Sequence, residues 1–332
     1  MTLAFVSPAD PLTLGASRVL GGFDVGAAPR ALALPWPVQP VLTPLLGGGD
    51  ALLHEAWLAD TVVDSGELDG LRWRRSGDLL FGVVTLAEAG VLTADGASAL
   101  RMLGEQAYAH IFRLLDAQGM PHLWRVWNYI PDITGEQAGL ERYWQFNMGR
   151  GDAFERCARS VTEQVPAASA LGVPNGPLSI AFLAGGSPLQ PIENPRQVSA
   201  YRYPRVYGPC SPTFSRAALA YPDGQEWLFV SGTASIVGHQ SLHLDDVVAQ
   251  THESMDNVVA VLTEAARHSR SGGFALEDLR YRVYLRHAED AEAVRGVVRA
   301  RVGAATVISC VQADVCRREL LVEVEALGVQ AC

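Results

Sequence analysis

The sequence has no lysine: all 26 of its basic residues are arginine, set against 36 aspartates and glutamates, for a formal net charge of −10. A face that binds nucleic acid needs a surplus of basic side chains, so a nucleic-acid partner is not expected. Cysteine is sparse, and Cys157, Cys210, Cys310, Cys316 and Cys332 form an odd set with no CxxC pair. They read neither as a disulfide framework nor as a zinc site. No apolar run approaches the ~18–20 residues that span a bilayer. The opening MTLAFVSPADPLTLG also lacks the basic and apolar regions of a signal peptide. A membrane partner is therefore not expected, and the cytoplasm is the expected compartment. GxGxxG, GxxxxGKS/T, HExxH and GxSxG frames are absent too, which removes support for a nucleotide cradle, a zinc-peptidase helix or a hydrolase elbow. His239, His243 and His252 lie near Asp245 and Asp246, but helix-start capping accounts for the aspartates. Neither a metal nor a cofactor is expected.

What is present is a globular composition, with 48% hydrophobic and 19% charged residues over a length that suits two domains. Residues 1–60 are rich in Pro and Gly and read as short strands joined by turns. A strand is expected at Asp78–Leu86, then a helix at about Ala97–Gln118 with Leu100, Leu103, Ala107, Ile111, Leu114 and Leu115 on one face. LWRVWNYI at Leu123–Ile130 reads as a strand. The second half runs through the same order. A hairpin at Ala217–Gly232 turns at Pro222–Asp223–Gly224, and an amphipathic helix at about Leu244–His268 carries Val248, Met255, Val258, Val259 and Leu262. A strand at Leu279–Leu285, a helix near Glu289–Ala300 and two closing strands, ATVISCVQA and ELLVEVEAL, follow. Both halves contain a strand ending in Gly, a helix, and a strand with an Arg–Val–Trp or Arg–Val–Tyr core. This reads as a diverged duplication of an α+β unit. The Pro- and Gly-dense stretch PNGPLSIAFLAGGSPLQPIENPRQ holds the seam, with domains expected at 1–172 and 173–332, although LSIAFLAG also suits a core strand.

YGPCSPTFSRAALAYPDGQEWLFVSGTAS (Tyr207–Ser235) and the ending SCVQADVCRRELLVEVEA resemble the Rid/YjgF family: a Gly-Pro before a hairpin, Ser-Gly closing a strand, a terminal Glu-x-Glu-Ala strand. Over nearly its whole length the chain resembles the chorismatases, a set related to that fold. RVWNYIPDITGEQAGLERYWQFNMGR (Arg125–Arg150) and NPRQVSAYRYPRVYGPCSPTFSRA with VSGTASIVGH carry this resemblance. The first segment has no counterpart in simple Rid proteins and is the more specific. The resemblance implies an α+β fold of two Rid/YjgF-like (chorismate-mutase-like) units, with mixed sheets packed against helices. It implies a homotrimer, as Rid proteins are, or a monomer in which the duplication fills that role. The implied activity is cleavage of chorismate, the expected small-molecule partner, to pyruvate and 3-hydroxybenzoate, alone or with 4-hydroxybenzoate. Two rivals stay open: a Rid-type enamine or imine deaminase, and a non-catalytic small-acid-binding protein. Ile308 stands where Rid deaminases carry an arginine, which speaks against the former. Cys210 stands where chorismatases often carry another arginine.

Chorismate is a dianion with an enol-ether side chain, so its cleavage needs a proton delivered to the enol methylene by an acid that stays protonated near neutral pH. Glu323 and Glu325 alternate with apolar residues in LLVEVEA and share one face. By pattern alone such a pair is the solvated face of an edge strand; the resemblance places the acid at Glu323. It implies that Cys316 and Ala234 set the product outcome. Arg142, Tyr143, Tyr207 and Arg216 are the candidates for the substrate's carboxylates. Thr233, after Ser231–Gly232, is a further candidate at a strand end.

Overall fold

The structure is a computed structural model that describes residues 2–8, 10–28, 30, 33–47, 52–60, 64–91 and 98–332. Five strands occupy the Pro- and Gly-rich start: β1 (Leu3–Val6), β2 (Val19–Gly26), β3 (Val38–Leu42), β4 (Leu45–Leu46) and β5 (Leu53–Ala59). Four of them form a sheet in the order β1-β5-β2-β3.

The first large unit contains β6 (Asp64–Leu68), β7 (Leu71–Ser76), β8 (Leu79–Leu86), α1 (Ala99–Gln118) and β9 (His122–Pro131). After the ribbon of β10 (Glu136–Gln137) and β11 (Leu140–Glu141) come α2 (Arg142–Arg156), β12 (Ala167–Val173) and β13 (Leu178–Gly185). The second unit contains β14 (Gln190–Ile192), β15 (Ala217–Ala220) and β16 (Gln225–Ala234), then the ribbon of β17 (Ile236–Val237) and β18 (Gln240–Ser241). It closes with α3 (Val247–Ala266), β19 (Arg280–Leu285), α4 (Ala291–Val302), β20 (Ile308–Gln312), β21 (Asp314–Val315) and β22 (Val322–Ala331).

The expected apolar face of α1 is buried along its length, behind a Ser98 cap whose side chain accepts from the Arg101 N–H. The expected first residue, Ala97, lies outside the described residues. In α3 the Asp246 carboxylate caps the Ala249 N–H, and Met255, Val258, Val261 and Leu262 face inward. Val248 and Val259, expected on that face, are exposed.

The two large sheets share one plan. Their orders are β21-β12-β9-β13-β8-β7-β6 and β4-β20-β19-β22-β16-β15-β14. In each, one parallel pair (β9–β12, β19–β20) adjoins antiparallel neighbours, so strands correspond one to one. The α+β class and its duplication are thus visible in the topology. The units also trade edges: β21 from the second half pairs with β12, and β4 from the first pairs with β20. The expected boundary at 172/173 cuts β12 before its last residue, Val173, and parts it from β13, although both are strands of one sheet. The first large sheet thus keeps β13, which ends at Gly185. The run at Leu178–Gly185, apolar but for Ser179, is buried throughout because β13 lies between β8 and β9 and is covered on both faces.

Register shows what the copies kept. Arg125 lies opposite Leu183 across β9–β13, and Arg282 opposite Glu325 across β19–β22. Trp127 likewise faces Ala181, and Tyr284 faces Glu323. The Arg–Val–Trp and Arg–Val–Tyr strands are therefore equivalent, and the counterparts of Glu323 and Glu325 are Ala181 and Leu183.

All three sheets meet in a central core dominated by aromatic rings. Trp57 packs on Trp227 at 5.2 Å between centroids, and Phe23 on Trp127 at 4.9 Å. Truncating such a fully buried ring to Ala costs about 3–5 kcal/mol. The helices cover the outer faces, α1 and α2 on the first large sheet, α3 and α4 on the second. Among the described residues no helix is long and apolar enough to cross a membrane.

Helix α2 was not foreseen, because its polar sequence carries Gly149 and Gly151 inside it. The first glycine is required by packing. A Cβ there would lie 1.9 Å from the Arg101 carbonyl oxygen, so only glycine lets α2 cross α1 this closely.

Candidate active site

A cavity of about 270 Å³ opens where the two units meet. Its floor is β22 and the end of β16, one wall is β12 with α2, and the segment between β14 and β15 covers it. A bulge in β16 makes the junction. Pairing with β22 shifts between Val230 and Thr233, which turns Ser231 and Gly232 out of the ladder and toward β12. The Ala168 N–H donates to Ser231 Oγ at 2.9 Å, and the Gly232 N–H donates to Ser169 Oγ at 3.1 Å.

Glu323 lies on this floor, 5% exposed, and among the described residues no hydrogen bond reaches its carboxyl. Burial pushes its pKa up, Glu325 adds to the rise, and Arg125 and Arg216 only partly oppose it, giving a value of about 8. The carboxyl is therefore protonated at neutral pH. The solvated-edge pattern does not hold here, because β22 lies between β16 and β19 and its face is covered by the other unit. Gly232 makes room for the acid: a Cβ there would fall 1.9 Å from Glu323 Oε1.

Cys316 and Ala234 flank Glu323 in the cavity and pack together with Ile236. Burial, and next the neighbouring Glu323, push the Cys316 thiol up to about 12, so it is a neutral, compact group. Tyr143 reaches in from α2, and burial raises its hydroxyl above the ordinary phenol range. Tyr207 lines the cover, and the Arg317 guanidinium stacks 3.8 Å above its ring. Arg216 is buried, with Nη2 donating to the Val198 carbonyl and to the Tyr203 hydroxyl, each at 2.8 Å.

Two expected residues do not line the cavity. Arg142 precedes Tyr143 on α2, and adjacent helix positions point about 100° apart. Its Nε donates to the Pro131 carbonyl at 2.9 Å, and its guanidinium pairs with Glu88. Thr233 lies between two cavity residues, Gly232 and Ala234, and strand alternation turns it away. Its hydroxyl donates to the Ser231 carbonyl at 2.8 Å.

The structure adds residues that the sequence reading missed, chiefly Arg150, Arg317 and Ser169. Arg150 is buried, with Nη2 donating to Asn147 Oδ1 at 2.7 Å and its guanidinium 5.4 Å from the Phe146 ring. Recognition of α2 would have found it, because position 150 lies two turns after Tyr143 on the same face. Among the described residues Arg150, Arg216 and Arg317 pair with no carboxylate. Arg150 Nε, Arg216 Nε and Arg317 Nη2 are buried without a partner. Three unpaired guanidiniums thus share a cavity with a neutral acid. Such a site is suited to a ligand with carboxylates of its own. The histidines weighed above do not converge. His239 Nδ1 lies 3.4 Å from the Tyr207 hydroxyl and His243 pairs with Glu253, and no metal-holding group of three occurs among the described residues.

Glu325, one face-step along β22, is held differently. Arg125 Nη2 donates to its Oε2 at 2.6 Å, and Ser169 Oγ donates to the same oxygen at 2.7 Å. Arg282 Nη1 and the Tyr284 hydroxyl donate to Oε1 at 3.1 and 3.0 Å. Arg282 also pairs with Glu55 of β5.

Residues 55–184 match the family model described as Chorismatase FkbO/Hyg5-like, N-terminal. A chorismatase from Streptomyces rapamycinicus is 38% identical over 287 residues, which cover 84% of this chain and 83% of that protein. A 3-hydroxybenzoate synthase from Streptomyces hygroscopicus is 37% identical over 283 residues, covering 82% of this chain and 80% of that one. A chorismatase crystal structure superposes with a TM-score of 0.87 at 32% identity, covering 98% of each chain.

Proposed function

The chain belongs to the chorismatase family, and we propose that it cleaves chorismate to pyruvate and 3-hydroxybenzoate, alone or with 4-hydroxybenzoate, with Glu323 as proton donor. The observation that carries this reading is the pairing of a protonated Glu323 with three guanidiniums, none of which has a carboxylate partner among the described residues. Arg150, Arg216 and Arg317 hold the substrate's two carboxylates, and the Tyr143 and Tyr207 hydroxyls add hydrogen bonds. This local positive charge also offsets the chain's overall −10, which otherwise repels a dianion.

Glu323 gives its proton to the enol methylene, which becomes the methyl group of pyruvate, and the side chain becomes an oxocarbenium ion. The ring hydroxyl then attacks the carbon that bears the ether. The ring C–O bond breaks, its electrons complete the pyruvate carbonyl, and the hydroxyl proton returns to Glu323. The resulting arene-oxide-like ring opens to the hydroxybenzoate. Substrate and products balance without water, so water in the cavity is a competitor that diverts the ion to a non-aromatic diol. Cys316 and Ala234, compact and uncharged beside Glu323, leave the ring room to react with its own hydroxyl.

The test is incubation of the purified chain with chorismate, without added metal or nucleotide, followed by chromatography of pyruvate and ring products. Pyruvate with a hydroxybenzoate, lost in Glu323→Gln, is the expected result. Near-normal turnover by Glu323→Gln would remove the acid from its role.

A further inference from the structure

Glu325 does not face the cavity. It borders a second, smaller space of about 30 Å³ together with Arg125, Arg282 and Glu55. It nevertheless touches the floor of the active site in two ways. It shares a strand face with Glu323, roughly 7 Å away along β22. It also accepts from Ser169, whose oxygen in turn accepts the Gly232 N–H directly beneath the Glu323 carboxyl. Ser169 lines the large cavity, so the Arg125–Glu325–Ser169 cluster forms the wall between the two spaces.

Two facts argue against simple packing glue. The carboxylate is fixed by the equivalent arginine of each repeated unit, Arg125 from β9 and Arg282 from β19, so neither rotation nor withdrawal is open to it. The first unit folds the same strands with Leu183 at the corresponding register, so the fold itself has no need of an acid there. A buried ionic cluster stabilises less than a well-packed apolar one, which makes a second role the better reason for its presence.

We propose that Glu325 is a positioning residue for the acid: its fixed negative charge keeps the proton on Glu323, and its bond to Ser169 seats the Gly232 bulge under the Glu323 carboxyl. This rests on the reading of Glu323 as proton donor. The other charged or titratable groups about Glu323 are Arg125 of β9, Arg216 before β15, Tyr143 and Arg150 of α2, Tyr284 of β19, Cys316, Arg317 and Glu319 before β22, and Glu141 before α2, whose carboxyl burial raises to about 7. Arg125 and Arg216 oppose Glu325, and Tyr143, Tyr284 and Cys316 are neutral in the working range.

The experiment compares kcat/KM against pH for the wild type, Glu325→Gln and Arg125→Gln, with chorismate as substrate. Chorismate stays a dianion across the range, so the alkaline limb reports the free enzyme's acid. Glu325→Gln is expected to move that limb down by about one pH unit, and Arg125→Gln to move it up. A loss of packing lowers the rate without separating the two limbs in opposite directions. A limb unmoved in folded Glu325→Gln overturns the proposal, as does a downward shift in Arg125→Gln. Ser169→Ala keeps every charge and tests the same wall should both charge variants fail to fold. A fall in kcat of about ten-fold with little change in KM is expected, and full kcat overturns the proposal. Turnover retained by Glu323→Gln would instead refute the acid assignment itself, whatever the limbs do.

Discussion

A carboxyl that the fold keeps protonated must weaken the fold, and Glu323→Gln measures by how much. In the unfolded chain Glu323 titrates near 4.5, and in the folded chain at about 8. Between those values the folded state holds a proton that the unfolded state releases, so stability falls as pH rises. Each pH unit in that window costs about 1.4 kcal/mol. The loss attributable to this one group is thus about 3 kcal/mol at pH 7 and about 5 kcal/mol at pH 9. Gln fills nearly the same volume and does not titrate. The variant is therefore expected to match the wild type near pH 4.5 and to gain on it progressively toward pH 9, while losing turnover at every pH. Paired denaturant unfolding of both proteins at matched ionic strength is the assay, because other titrations cancel in the difference. A stability gap independent of pH would refute the reasoning, since it would mean that Glu323 is ionised in the folded protein. A gap that closes as pH rises would refute it more strongly.

The neighbouring arginines separate binding from structure. Arg150→Gln is expected to raise KM for chorismate about ten-fold or more, since the substrate's carboxylate loses a buried guanidinium that pairs with no carboxylate among the described residues. Arg142→Gln should leave KM within about two-fold but lower stability by about 1–3 kcal/mol, because it strands Glu88 and the Pro131 carbonyl. Thiol labelling at pH 8 by a small alkylating reagent should reach the exposed Cys332 well before Cys316, whose thiol stays protonated. Equal labelling rates, read by peptide mass spectrometry, would contradict a desolvated Cys316.

The sequence disclosed most where physics is local. Helical spacing revealed α1 and α3, and the repeated Arg–Val–aromatic strands disclosed the duplication that strand order bears out. It disclosed least where a side chain's surroundings come from far along the chain. Glu323 and Glu325 look like solvent-facing residues until β9 and β12 of the other unit close over them. Arg142, a candidate carboxylate fork beside Tyr143, and Thr233, the residue after Gly232, fall outside the cavity because neighbours in a helix or strand point apart. Arg150 was missed because α2, rich in glycine and polar groups, shows little periodicity; its glycine is explained only by the contact with Arg101. LSIAFLAG, placed beyond the expected seam, belongs to β13 at the centre of the first large sheet.

The alanine and leucine that stand in β13 where β22 carries two glutamates have a consequence for inheritance as well as for chemistry. An assembly of identical subunits must repeat every feature in every copy, including the costly ones. A duplicated chain is free of that rule: one half can specialise as hydrocarbon scaffold while the other bears an acid that weakens it. Mutational drift should accordingly be lopsided, with Ala181 and Leu183 accepting other apolar residues and Glu323 accepting none. The large cavity is built by both halves, while its buried acid comes from one.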